Sequence, residues 1–463
     1  MSLPRNVDVA VIGAGPAGMA AATTAAAAGA SVVLLDDQAT PGGQIYRGIT
    51  EATPAQLRIL GADYAGGRAQ ADELARSQVQ HFAGAAVWQM KRDRTLDVLH
   101  EGASHSLTAE NIVICSGALE RPFPVPGWTL PGVMTAGAAQ ILFKTGGVVP
   151  AVEPVLVGCG PLLYVLGAQL VRAGVRLRAF VDTTAPGDYF TALGSLPGAL
   201  RSPRYLAKGL AAIRTIRRSG VAYFTGATEI AIEGDASTGA RAVRFRAGGL
   251  THRVDSALVL LHQGVVPNTQ MTWSIRAAHD WNDAQLCWVP RADAWGALDV
   301  EGYYAAGDNL GIAGAAAAAL QGKLAGLAAA HRSGKLAGAE RDRAALPIRN
   351  VLARELRIRP FLDALYRPKD ENRVPHDDVL VCRCEEVTAG AVRGYVRAGC
   401  VGPNQTKSFG RCGMGPCQGQ LCGLTVTELI AGARGVAPGE VGYYRIRPPL
   451  RPITIGELAR SDS

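Results

Sequence analysis

The chain opens the same structural sentence twice. VDVAVIG (7–13) reads as a short buried strand, Pro16 to Ala28 as an alanine-rich helix and SVVLLD (31–36) as a second strand. About 145 residues later PVLVG (154–158), CGPLLYVLGAQLVRAG and VRLRAFVD (175–182) repeat the pattern. Each copy places glycines between the first strand and the helix, so each is a βαβ unit with a right-handed crossover. An internal repeat of this kind predicts an α/β chain with two dinucleotide-binding folds.

In the first copy Gly13, Gly15 and Gly18 complete GAGPAG, with Pro16 and Ala17 between the last two glycines. The first glycine permits the tight turn, the second lets backbone approach a pyrophosphate and the third lets helix and strand pack closely. The helix N-terminus then faces the phosphates with its positive dipole end. Asp36, followed by Asp37, stands at the end of the second strand, where a carboxylate accepts from ribose hydroxyls. NAD and FAD share this fingerprint, so other segments must discriminate.

PGGQIY (41–46) supplies Gly42, Gly43 and Gln44; CSGALERP (115–122) supplies Ser116 and Gly117; AAGDN (305–309) supplies Gly307 and Asp308 before an Ala/Gly-rich helix. On these residues the stretch from about 5 to 335 resembles the two-dinucleotide-binding flavoproteins of the thioredoxin reductase and ferredoxin reductase type. The resemblance implies two nested Rossmann-like folds. It also implies that Gly307 and Asp308 contact FAD at the flavin ribitol, while Gly42, Gly43 and Gln44 line its pocket. The expected division is an FAD domain at 1–127 and 285–340 and a second dinucleotide domain at 128–284. A linker (341–377), a cysteine module (378–435) and a Pro-rich surface tail (436–463) follow.

The second fingerprint is damaged. Gly158 and Gly160 remain, but the third glycine position is Leu163. A leucine there pushes the helix off the strand or closes the pocket. Asp182 ends the second strand, so Gly158, Gly160 and Asp182 are the candidate contacts for NAD(P) or ATP; a nucleotide kept for structure, or none, is the competing reading. A disulfide reductase would need a CxxC here, and only Cys159 is present. Cys115, Cys159 and Cys287 read as core residues. His262 reads as a satisfied polar side chain and Lys144 as a surface lysine; no catalytic acid or base stands out.

Six of the nine cysteines lie between Cys382 and Cys422. Clustered thiols with no secretory signal read as metal ligands. VCRCEEVT (381–388) contributes Cys382 and Cys384, and FGRCGMGPCQGQLCG (409–423) contributes Cys412, Cys417 and Cys422. Four thiolates suit a 2Fe–2S cluster, and they also suit zinc. The glycines at 413, 415, 419 and 423 allow backbone amides to point at sulfurs. The segment resembles the ferredoxin domain associated with bacterioferritin, which implies Cys382, Cys384, Cys417 and Cys422 as ligands. The closing Cys-x4-Cys spacing departs from the stand-alone ferredoxin, so Cys412 stays an alternative ligand; Cys400 reads as structural.

The formal charge of +8 comes from scattered arginines, denser between Arg341 and Arg373. They do not form the clustered Lys/Arg pattern with interleaved aromatics that a nucleic-acid site would require, so a solvated face or a partner surface is expected and no nucleic acid. The alanine-rich run 311–330 contains Gln321 and Lys323 and is too weakly apolar to span a bilayer. The expected location is cytoplasmic, or peripheral at the inner membrane through the electron acceptor.

End to end, GAGPAGMAAA, PGGQIYRG, SGALERPFPVPGWTLPGV, HQGVVPN, AAGDN, CRCEEVT and GPNQTKSFGRCGMGPCQG resemble the α subunits of hetero-oligomeric amino-acid dehydrogenases. These are the opine oxidase A, D-hydroxyproline and proline dehydrogenase α and hydrogen cyanide synthase B types. The resemblance implies a β flavoprotein partner carrying the substrate site and a small γ 2Fe–2S partner. From the proline dehydrogenase type it also implies FMN at a subunit interface.

Overall fold

The structure is a computed structural model that describes residues 3–460. It divides into two compact units. The first takes in the chain up to Leu119, Val266–Leu356 and the chain from Arg445 onward; the second holds Glu120–Val265 and Arg357–Tyr444.

In the first unit the strand Asn6–Ile12 lies between Val32–Asp36 and Ala103–Ile114, parallel to both. Gln80–Ala83 extends the sheet beyond Val32–Asp36, and Tyr303–Ala305 joins Ala103–Ile114 in parallel. Val9, Ala10 and Val11 are fully buried. This is why the run reads as continuously apolar, since both faces of a parallel sheet are covered. The helices Pro16–Ala27 and Ala315–Arg332 pack together through glycines. A Cβ on Gly322 would lie 2.0 Å from the Ala17 carbonyl oxygen, and one on Gly326 2.5 Å from that of Ala21. The alanine-rich run is therefore a buried interior helix. Among the described residues no helix is long and apolar enough to cross a membrane.

The second unit carries a five-stranded parallel sheet. Its order is Ala222–Phe224, Ala179–Asp182, Val155–Cys159, Val259–Gln263, Val133–Thr135. A three-stranded antiparallel meander (Thr228–Asp235, Gly239–Ala247, Leu250–Asp255) packs its Ile232, Val243 and Phe245 with Val155, Val157 and Val259.

Two boundaries differ from the expected ones. The chain rejoins the first fold at Val266, well before residue 285. There the Asn268 N–H donates to the Gly117 carbonyl at 2.9 Å, and the Ser116 hydroxyl donates to the Asn268 carbonyl at 2.7 Å. The stretch 341–377 is also no open linker. Gly338–Glu355 is a helix whose Ala345, Ile348 and Leu352 pack on Leu324 and Leu327, whereas Arg357 onward belongs to the second unit. Arg341 and Arg349 lie over the Trp295 ring at 4.4 and 4.3 Å, so part of the basic stretch is stacked and not simply solvated.

In the second unit the segment after Arg357 ties the cysteine module to the dinucleotide fold. Arg373, 7% exposed, pairs with Glu428, 6% exposed, on the helix Gly423–Arg434. The Trp128 indole N–H donates to the Leu380 carbonyl at 2.7 Å, and the Gln263 amide donates to the Asn372 carbonyl at 3.0 Å. The tail divides at Tyr444: from Arg445 the chain belongs to the first unit, where the Leu450 N–H donates to the Trp88 carbonyl at 2.7 Å.

Candidate functional site

The first glycine loop is shaped by backbone approach. Gly13 has φ +99°, and a Cβ there would stand 2.5 Å from the Cys115 carbonyl oxygen. A Cβ on Gly18 would stand 1.7 Å from the Gly13 carbonyl oxygen, so no larger residue fits with the helix in place. The PGGQ loop folds onto the same turn: the Gly42 N–H donates to the Ala14 carbonyl at 2.8 Å, and a Cβ on Gly43 would reach within 2.7 Å of the Gly15 Cα. Asp36 accepts from the Ala14 N–H at 2.6 Å and the Gln38 N–H at 2.9 Å. Burial raises its carboxyl to about 6 against those two hydrogen bonds, and the neighbouring Asp37 adds to the rise. Asp37 accepts from the Gln38 amide at 2.8 Å and pairs with Arg451.

On the opposite wall Gly307 donates its N–H to Gln321 Oε1 at 3.0 Å, and a Cβ on it would lie 2.8 Å from Ala17 Cβ. Asp308 Oδ1 accepts from the N–H groups of Ala313 and Gly314 at 2.9 and 3.0 Å, which fixes the turn ahead of the helix Ala315–Arg332. Asn309, not singled out from the sequence, is fully buried; its amide donates to the Ile114 carbonyl at 2.9 Å and its Oδ1 has no hydrogen-bond partner. The only sequence signal for it was its place after the GD pair. Gly13, Gly15, Pro16, Ala17, Gly18, Gly43, Gly307 and Asp36 thus meet around a side-chain-free cradle at two helix N-termini. A pyrophosphate with an adjoining ribose fits that donor set.

The second loop keeps its turn and loses its acid. Gly158 has φ +133° and Gly160 φ +105°. Leu163 is fully buried with Leu156, Phe180 and Leu260, where the first fold has Gly18 against the Gly13 carbonyl. Asp182, 2% exposed, accepts from the Tyr164 hydroxyl at 2.5 Å, the Tyr223 hydroxyl at 3.3 Å and the Thr184 N–H at 2.8 Å. Its carboxyl is raised, by burial foremost. The Tyr366 ring lies 5.7 Å from that of Tyr164, tilted by 53°, and the Cys159 thiol donates to the Tyr366 carbonyl at 3.7 Å. His262 is buried with Nδ1 2.6 Å from Glu120 Oε1, and Glu120 also accepts from the Gly137 N–H at 2.9 Å. Lys144 is 3% exposed, not a surface lysine; it lies on the inner face of the helix Ala136–Gly146. Cys115, Cys159 and Cys287 are buried, and burial pushes the Cys159 thiol up to about 12.

The cysteine module gathers five thiols. Sγ atoms of Cys382, Cys412 and Cys422 all lie within 4.8 Å of one another and are buried. Cys384 and Cys417 form a second, more exposed pair at 3.8 Å. Hydrogen bonds from Cys412 and Cys422, with the N–H groups of Gly413 and Glu385, hold the Cys382 thiol far below its ordinary range despite burial. A thiolate is what a metal ligand requires. The Cys417 N–H points at Cys384, whose thiol is nonetheless raised, by burial foremost and by the neighbouring Cys417. The donor set fits a four-thiolate centre, with Cys412 as the fifth sulfur in reach. Cys400 stands apart, donating to the Gly402 carbonyl at 3.3 Å.

Two glycines of the module also make room for an aromatic ring. Gly413 and Gly419, at φ +82° and +81°, are seats for the fully buried Tyr444 ring: a Cβ on either would come within 2.4 and 2.2 Å of it. The Tyr444 hydroxyl donates to Cys412 Sγ at 3.4 Å, and burial keeps that phenol protonated far above its ordinary range. Sequence reading missed this residue, since nothing local marks it beyond the GYY run.

Two nested dinucleotide folds, the first with an intact glycine cradle, define an FAD-dependent oxidoreductase of the two-dinucleotide-fold class. Residues 7–334 match the pyridine nucleotide-disulphide oxidoreductase family and residues 378–461 the sarcosine oxidase A3 domain. The A subunit of opine oxidase from Rhizobium meliloti (strain 1021) is 41% identical, covering 98% of each chain. Its counterpart from Agrobacterium tumefaciens (strain Ach5) is 44% identical over 98% of this chain and 91% of its own length. The L-proline dehydrogenase of P. horikoshii shares the fold at TM-score 0.70 and 18% identity, over 99% of this chain and 81% of its own. The chain belongs to the family of opine oxidase A subunits.

Proposed function

We propose that this chain is the electron-transferring flavoprotein α subunit of a hetero-oligomeric dehydrogenase that oxidises an opine or amino acid of the octopine, nopaline, D-hydroxyproline or proline type. Substrate is oxidised on a β flavoprotein partner, and this chain receives the electrons; a small γ 2Fe–2S partner and FMN at a subunit interface complete the assembly. The names of the relatives, each one part of a larger oxidase, support a complex. The observation that carries the reading is the pairing of an intact first cradle with a five-thiol module, while the acid of the second fold is satisfied by the chain's own tyrosines.

FAD takes electrons in pairs and a 2Fe–2S cluster passes them singly, so together they split a two-electron oxidation. Gly13, Gly15, Gly18, Gly42, Gly43, Ser116, Gly117 and Asp308 would hold the flavin nucleotide, with Asp36 at its ribose. Cys382, Cys384, Cys417 and Cys422 would hold the cluster, the first and last of them shielded from water. Zinc suits four thiolates but carries no electrons. Asp182, enclosed by Tyr164 and Tyr223, has no open face for a ribose, which argues against NAD(P)H or ATP at Gly158 and Gly160. Such a chain works in the cytoplasm or at the inner face of the membrane that holds its acceptor.

The test is an anaerobic titration of the purified chain with NADH, then NADPH, then dithionite, followed by an assay with and without a β partner. The chain alone is expected to stay oxidised with both nucleotides and to turn over no opine or amino acid, with activity appearing on reconstitution. Rapid flavin bleaching by either nucleotide would instead make it a self-sufficient reductase.

A further inference from the structure

Tyr444 packs against the buried sulfurs of the module. Its ring is fully buried, and the GRCGMGPCQG loop is bent around it at Gly413 and Gly419. From that seat the hydroxyl meets three groups: it donates to Cys412 Sγ at 3.4 Å, accepts from the Cys422 thiol at 4.0 Å and lies 3.3 Å from Thr406 Oγ1. Thr406 donates its own proton to the Pro403 carbonyl at 2.7 Å. Lys407 Nζ lies 5.1 Å from the ring centroid. The neighbouring Tyr443 directs its hydroxyl to the Gly419 carbonyl at 3.3 Å. Ring packing alone would be served by phenylalanine. Only an O–H has a use at the end facing two sulfurs.

We propose that Tyr444 is a positioning residue that sets the potential of the thiolate centre, through a hydrogen bond from its single hydroxyl proton to a buried sulfur of the Cys412 and Cys422 pair. A donor to a thiolate withdraws negative charge from sulfur and favours the reduced, more negative state of the cluster it ligates, so the potential rises. A ligating Cys422 thiolate has no proton to give, so the one phenol proton is then the donor available to whichever of the two sulfurs carries the charge. The inference rests on the cluster reading above.

The experiment uses the full chain with FAD bound, purified anaerobically as wild type, Tyr444→Phe and Tyr443→Phe. Iron and acid-labile sulfide are counted, the reduced electron paramagnetic resonance spectrum is recorded, and the midpoint potential is measured by mediated dithionite titration. Tyr444→Phe is expected to keep iron, sulfide and signal while its midpoint moves negative; Tyr443→Phe is expected to keep the wild-type midpoint. An unmoved Tyr444→Phe midpoint at full cluster content would overturn the inference and leave the cluster reading standing. So would equal shifts in both variants, or loss of the cluster in Tyr444→Phe, since either marks a packing role. Wild type that binds FAD but holds no iron and sulfide would overturn the cluster reading itself.

Discussion

The Tyr164 hydroxyl donates to the Asp182 carboxylate at 2.5 Å, and a second hydroxyl, from Tyr223, meets the same oxygen at 3.3 Å. In an open dinucleotide fold the acid at this strand end serves the ribose of a ligand. Here the helix that follows the glycine loop supplies the partner itself. Tyr164→Phe removes one donor and leaves a buried carboxyl less satisfied, at a cost of about 1–3 kcal/mol. Chemical denaturation should show that loss, while FAD content and the absence of flavin bleaching by NADH stay as in wild type.

The thiols divide into a buried trio and a more exposed pair, which makes ligand assignment testable. Cys384→Ala and Cys417→Ala are each expected to abolish the visible cluster spectrum. Cys400→Ala, outside the group, should retain iron and sulfide. Cys412→Ala should also retain them if the closing pair is Cys417 and Cys422. Iron and sulfide analysis of the four variants decides this.

Asp36 gives the first fold a pH dependence of defined sign. Its carboxyl is raised to about 6, burial being the main cause, so the neutral form is favoured on folding. That contribution is complete below about pH 4, where the unfolded chain also holds the proton, and is lost as pH rises through about 6. A rise of roughly two units corresponds to about 3 kcal/mol. Flavin-free protein is expected to lose stability between about pH 4 and 6, and Asp36→Asn to flatten that slope. The same variant should bind less FAD, read from the flavin-to-protein absorbance ratio.

Arg373 and Glu428 form an ion pair in which both side chains are nearly inaccessible to solvent. Arg373→Met strands a buried carboxylate and should cost about 3–5 kcal/mol. Adding Glu428→Leu should restore most of that loss, because the uncompensated charge and not the missing attraction dominates. Thermal unfolding of both single variants and the double variant completes the cycle.

Sequence alone determined the two strand–glycine–helix openings, the α/β class, the first cradle and the thiol-rich segment. These rest on short-range rules: an apolar run of strand length, a turn that only glycine fits, a carboxylate at a fixed distance along the chain, and ligand residues within a few positions of each other. Leu163 likewise stands in the sequence at the third glycine position. Tertiary structure alone decided that Tyr164 and Tyr223, 41 residues or fewer from Asp182, close that acid. The same holds for Cys412 lying with Cys382 and Cys422, for Tyr444 filling the space that Gly413 and Gly419 leave, and for Lys144 facing inward. Each depends on which surfaces meet when helices and loops pack, and side-chain hydroxyls and sulfurs carry no periodic signature that would reveal their partners in advance.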